Sequence, residues 1–371
     1  MTALASPLLL DELVEEVLFR IPPDDPMSLI RATLVCKRWR RIIRDRGFHH
    51  RFREFHRAAP MLGVLCNSCY ITYRARFVPT SSFRSPHAII SNKNNVADAR
   101  HGRVLLHSIP HGQGWGNKSF AIWDPIKDQT TQLPEFEQPY VGYEDSSVAA
   151  VLCANSNNGS CDHLHCQHGP FRIVFIGTLS NGMFIYTYSS EDGAWNQHIS
   201  SLRPHVGFNI LAPNLLLGNS LHFVFGNSSD TKILKYDLAT RDMSVIPTPP
   251  TCFHESQSCV VLMATEEDEL GCGRTVGRSV HLWSSRHQQA TLDEADAGGW
   301  ELVRVIDDEL PRTVLPASLV GFTNNGVNRY LFIRTTDGIF AYDLKSQKTR
   351  TICKDNGIIF NVFPYMSFYP F

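Results

Sequence analysis

Apolar residues recur with a helical period at the start of the chain. Leu10, Leu13, Val14, Val17, Leu18 and Ile21 share one face, with Asp11, Glu12, Glu15 and Glu16 opposite, which predicts an amphipathic helix. Ile21-Pro22-Pro23 stops it, because proline lacks an N–H and disfavours helix in the residue before it. Asp25-Pro26 then offers an N-cap and a first helical position to a second helix, whose buried face is Met27, Ile30 and Leu34. A third helix sets Val35, Trp39, Ile42 and Ile43 against a basic face of Lys37, Arg38, Arg40, Arg41 and Arg44. Gly47 marks a stop, and Phe48, Phe52 and Phe55 suggest one further helical segment before Pro60. These elements make a small three-helix domain over residues 5–57.

From Met61 the period changes to two. Gly102-Arg-Val-Leu-Leu-His, Phe120-Ala-Ile-Trp-Asp and Gln129-Thr-Thr-Gln form a three-strand unit. The unit recurs as Ser220–Phe225, Ile233–Leu238 and Met243–Pro247, and again as Arg329–Ile333, Ile339–Leu344 and Lys348–Ile352. Weaker copies span Phe171–Ile199 and Ser258–Ile306. Units of ~40–50 residues, each a small antiparallel sheet, predict a β-propeller over residues 60–371, with room for about six blades and with seven also compatible. The fold class is therefore α+β and multidomain. The aromatic segment Ile358–Phe371 is expected to pair with the Met61 region and close the ring. The repeated Asp124, Asp237 and Asp343 each follow an aromatic strand end, where an aspartate accepts hydrogen bonds from its own turn; a scaffold role explains them better than an active site. Trp123, Trp195, Trp283 and Trp300 read as packing between blades.

The helical segment also carries a family resemblance. Leu9-x-x-x-Leu13, Val17-Leu18-x-x-Ile21-Pro22, Ser28-Leu29-x-Arg31 and Val35-Cys36-Lys37-x-Trp39 resemble the F-box pattern, with Leu10 standing where many members have proline. Phe77-Val-Pro-Thr-Ser-Ser-Phe and Arg100-His-Gly-Arg-Val-Leu-Leu resemble plant F-box proteins with a kelch-like or F-box-associated propeller. The resemblance implies a hook that docks on a Skp-type adaptor and through it on a cullin scaffold, with the propeller binding a substrate protein for ubiquitination. It places the adaptor contact on Leu9, Leu13, Val17, Leu18, Ile21, Pro22, Leu29, Ile30, Val35, Cys36, Trp39 and Ile43. The residues agree, since so small a unit cannot bury all its large apolar groups against itself.

Composition narrows the partners. A net charge of −1 argues against bulk nucleic-acid binding, although positive charge gathers between Arg31 and Arg57 and most densely in the Lys37–Arg46 helix. An amphipathic helix with a solvated basic face accounts for that run, and a nucleic-acid role for it is the alternative. No stretch approaches the ~20 apolar residues of a membrane span, and MTALASPLLL lacks the basic start and cleavage site of a signal peptide. A cytoplasmic or nuclear protein with free thiols is expected.

One segment invites metal chemistry. Cys161, His163, His165, Cys166 and His168 concentrate thiols and imidazoles, with Cys153 upstream. Structural zinc sites usually divide into two separated ligand pairs, whereas these residues crowd into one stretch, so a polar inter-strand loop is the preferred reading. Phosphate-loop, Gly-x-Ser-x-Gly and His-Glu-x-x-His signatures are missing from the sequence. No cofactor and no intrinsic catalysis are expected, with a propeller enzyme as the remaining alternative. Loops such as His111–Trp115 and Cys252–Glu255 are candidates for the substrate surface.

Overall fold

The change of period at Met61 is where helices give way to strands. The computed structural model describes residues 10–370 apart from 70–72, 87–88, 92–93, 109–118, 138–146, 156–160, 180–181, 201–208, 211–212, 227–230, 250–259, 286–298, 308–317, 325 and 355–357. Leu9, Phe371, His111–Trp115 and Cys252–Glu255 lie outside the described residues.

Four helices, not three, form the N-terminal unit: α1 (Asp11–Phe19), α2 (Pro26–Ala32), α3 (Lys37–Arg44) and α4 (Arg46–His56). The difference lies in Asp45, whose extended backbone interrupts the helix while its carboxylate accepts from Phe48 N at 3.1 Å and caps α4. Pro26 opens α2 behind Asp25, as the Asp-Pro pair predicts. Val14, Leu18, Leu29, Ile43, Phe48 and Phe52 form the buried centre of the unit.

Six antiparallel sheets follow, spanning residues 94–132, 147–200, 209–247, 261–306 and 318–353, with 61–91 and 358–366 combined in the first blade. Ile358–Met366 pairs along Met61–Cys69, so the chain's end supplies one strand to the blade its beginning starts. Neighbouring blades enclose an apolar core at each of the six junctions. Phe77 and Trp123 meet between the first and second, Ile185 and Phe223 between the third and fourth, and Phe332 and Val362 between the sixth and first. A single sheet cannot cover both its faces, and the ring does this while leaving only short edges.

The three-strand units of the sequence are incomplete blades. Each blade adds an inner strand, Asn94–Arg100, Ser147–Cys153, Asn209–Ile210 with Leu215–Leu217, Val261–Ala264, Ser318–Asn324 and the closing Ile358–Met366 in turn, and each of these lies against the inner strands of the neighbouring blades around the axis. Crowding there selects small residues, which weaken the alternation that marks a strand: a Cβ on Gly321 would lie 2.5 Å from Val362 O. The repeated aspartates cap turns. Asp124 Oδ1 accepts from Ile126 N (2.9 Å), Asp237 Oδ1 from Ala239 N (2.9 Å), and Asp343 Oδ1 from Lys345 N (2.9 Å).

One buried imidazole makes the fold sensitive to acid. His222 lies in the fourth blade opposite Lys235, and burial, reinforced by that ammonium, holds its pKa down to about 4. In the unfolded chain it titrates near 6.5, so protons bind the unfolded state first and stability falls as pH drops from 6.5 towards 4. Between pH 7 and pH 5 this one group should cost ~2 kcal/mol. His222→Leu is expected to reduce the fall of melting temperature with acid over that window without abolishing it, since burial also holds the pKa of His101 down to about 3; an unchanged slope would place the acid sensitivity elsewhere.

Candidate functional site

The helical unit divides its apolar residues between core and surface. Leu18, Leu29 and Ile43 are fully buried and hold the helices together, so they reach a partner only through the surface they support. Leu10, Leu13 and Val17 stand on one stripe of α1 and are 65%, 50% and 56% exposed; Leu34 and Val35, before α3, are 70% and 64% exposed. Arg38 and Arg41 both pair with Asp11, which ties α3 to the start of α1. The Arg38 guanidinium, with Arg41 behind it, holds the Asp11 carboxyl below its ordinary range. Ile21, Ile30 and Trp39 are half-buried, Pro22 is exposed, and Cys36 caps α3 by accepting from Trp39 N at 3.4 Å. Leu34, expected on the buried face of the second helix, is exposed instead, because α2 ends at Ala32 and buries Pro26, Leu29 and Ala32; Leu10 and Leu34 thus join the exposed apolar residues. Engagement of Arg38 and Arg41 by Asp11 leaves less of the basic face for phosphates.

The unit is seated on one mouth of the ring. Ser82 Oγ donates to Asp25 Oδ1 at 2.6 Å and accepts from Met27 N at 3.2 Å. Phe368, just past the closing strand, packs against Phe52, and Leu164 joins the same apolar cluster from the third blade. Strand register puts the starts of the inner strands at the opposite mouth. A cavity of about 230 Å³ opens there, lined by Asn67, Asn95, His107, Phe120, Phe360 and Asn361. The Asn67 side chain is spent on Val96, donating to its O at 2.7 Å and accepting from its N at 2.9 Å, whereas Asn95 Oδ1 is buried without a partner among the described residues.

Acidic side chains do gather, but away from the axis. Glu266, Glu267, Glu269 and Glu301 line a cleft of about 500 Å³ between the fifth and sixth blades, where Glu301 belongs to an outer strand and Glu266 pairs with Arg329 at 3.2 Å. Among the described residues no helix is long and apolar enough to cross a membrane.

Residues 7–51 match the F-box domain family. The chain carries an F-box domain. It is similar to an F-box/kelch-repeat protein of Arabidopsis thaliana, 24% identical over 324 residues that cover 80% of this chain and 72% of that protein. An F-box protein of the same plant is 23% identical over 288 residues, covering 72% of this chain and 63% of its own length. Among solved structures, a fucose-specific lectin from Aleuria aurantia aligns with 84% of this chain and 98% of its own, at 11% identity and a TM-score of 0.42, a likeness too loose to bear on function. The α1 stripe and the Leu34-Val35 turn therefore belong to the F-box, and the six-bladed propeller is a C-terminal addition to it.

Folding sorts the cysteine- and histidine-rich segment. Cys161, His163 and Cys166 meet Cys153. His165 instead stacks on His50 of the F-box, with ring centroids 4.2 Å apart, and His168 lies beside Lys127 Nζ at 3.5 Å. Burial pushes the Cys153 and Cys166 thiols up from their ordinary range, and Cys161 beside them adds to it.

Proposed function

We propose that this chain is the substrate-recognition subunit of a Skp-cullin-F-box ubiquitin ligase, docking on a Skp-type adaptor through the F-box and binding a substrate protein on the propeller. The observation that carries the reading is the exposed stripe of Leu10, Leu13 and Val17 beside Leu34 and Val35, in a domain whose own core is already closed by Leu18, Leu29 and Ile43. The opposite mouth, with its polar-aromatic cavity, is the substrate surface in this account, facing away from the adaptor. The chain then contributes proximity and no catalytic group of its own, and it works in the cytoplasm or nucleus, where such ligases act.

Affinity purification from proteasome-inhibited cells tests this. The full-length chain should recover an adaptor, a cullin and a substrate protein, and the chain lacking residues 1–57 should recover the substrate alone. Full-length protein that captures neither adaptor nor cullin would contradict the reading.

A further inference from the structure

Cys153 ends the inner strand of the third blade, and Cys161, His163 and Cys166 converge on that strand end. One donor atom from each of the four lies within 4.8 Å of the others. Cys153 Sγ is 3.7 Å from Cys161 Sγ, and Cys166 Sγ is 3.6 Å from His163 Nδ1. A tetrahedral zinc ion with Zn–S of ~2.3 Å and Zn–N of ~2.0 Å needs S–S edges of about 3.8 Å and S–N edges of about 3.5 Å. Two edges of that tetrahedron are already present.

The surroundings suit the charge. Three thiolates and a neutral imidazole around Zn²⁺ leave one net negative charge. Arg103 is buried against the cluster, its Nη2 donating to Cys166 O (2.7 Å) and to Gly169 O, while its Nη1 is buried without a hydrogen-bond partner among the described residues. A guanidinium withdrawn from water is stabilised by nearby anions; Asp124 supplies one, and the thiolates of the cluster would supply more.

We propose that Cys153, Cys161, His163 and Cys166 bind one zinc ion in a closed, structural Cys3His site. Binding releases the three thiol protons to solvent and forms three Zn–S bonds and one Zn–N bond, with no change of oxidation state. Soft thiolates with one imidazole in a tetrahedron select zinc over magnesium or calcium, and four protein ligands leave no open position for catalysis. The site stands whether or not an adaptor binds. Its position gives it a use, because the residues between the ligands seat the F-box. Leu164 packs into the helical core, Leu164 O accepts from Arg53 Nη1 at 3.3 Å, and His165 stacks on His50. The ion staples a loop that the propeller presents to α4, and so fixes the angle between the two domains.

The test is the metal content of full-length chain expressed in a reducing cytosol and purified without chelator or metal-affinity resin. About one zinc per chain is expected, falling below about a tenth in Cys161→Ser/Cys166→Ser and staying near one in His165→Ala/His168→Ala. Cobalt(II) exchanged into the wild type should give the intense visible absorption of tetrahedral thiolate coordination. Wild-type protein that is folded and free of zinc overturns the proposal, as does a Cys153–Cys161 disulfide in that preparation. The wild-type measurement decides even if the cysteine variant fails to fold.

Discussion

Removing residues 358–371 is expected to turn the propeller into an aggregating protein. Ile358–Met366 pairs with Met61–Cys69 from Met61↔Met366 to Cys69↔Ile358, so its loss bares the backbone of a long strand. It also removes Val362 from the core between the sixth and first blades, Phe363 and Tyr365 from the core between the first and second, and Phe368 from the F-box core. Each of these side chains is buried, and burial of one is worth ~1.5–3 kcal/mol. Four such losses match the whole stability of an ordinary domain, ~5–15 kcal/mol. Light scattering after size exclusion should show the full chain as a defined species and the truncated chain as aggregate. A truncated protein of unchanged size and melting temperature would make the strand peripheral.

Replacing Leu13, Val17 and Val35 together with alanine is expected to abolish capture of a Skp-type adaptor while leaving the fold and the substrate surface intact. These three are more than half-exposed or close to it, so truncation leaves no cavity, in contrast to Leu18, Leu29 or Ile43, whose loss would unfold the helices. Interface energy concentrates in a few apolar anchors, and loss of one commonly costs ~2 kcal/mol, about thirtyfold in affinity. Changing Lys37 and Arg40 to alanine should weaken binding less, since rim charges act mainly on encounter. Adaptor titration by calorimetry, with circular dichroism and melting temperature as the folding control, separates these outcomes. Wild-type affinity in the folded triple variant would move the contact to another surface.

Much of this architecture is written in periodicity. The switch at Met61, the Asp-Pro start of α2, the strong blades around Trp123, Tyr236 and Tyr342, and the closing strand all carry local signals that tertiary structure preserves. The inner strands do not, because Ala149, Ala150 and Gly321 are small for the sake of the axis and give no clear alternation. Helical periodicity puts Leu13 and Leu18 on one broad face, but which of them the domain keeps for its own core depends on where α4 packs, and the Asp45 cap that starts α4 leaves no periodic signal. Spacing alone makes the cysteine segment a loop. Its fourth donor, Cys153, sits on a strand, so only folding brings the set together.

We propose the exposed apolar residues of the F-box as an adaptor-binding surface on a chain whose propeller is free to hold a substrate. Mixing purified full-length chain with a purified Skp-type adaptor and analysing the mixture by size exclusion with light scattering tests it most directly. A single one-to-one complex is expected, which the Leu13→Ala/Val17→Ala/Val35→Ala variant fails to form. Folded wild-type chain that elutes apart from the adaptor would contradict it.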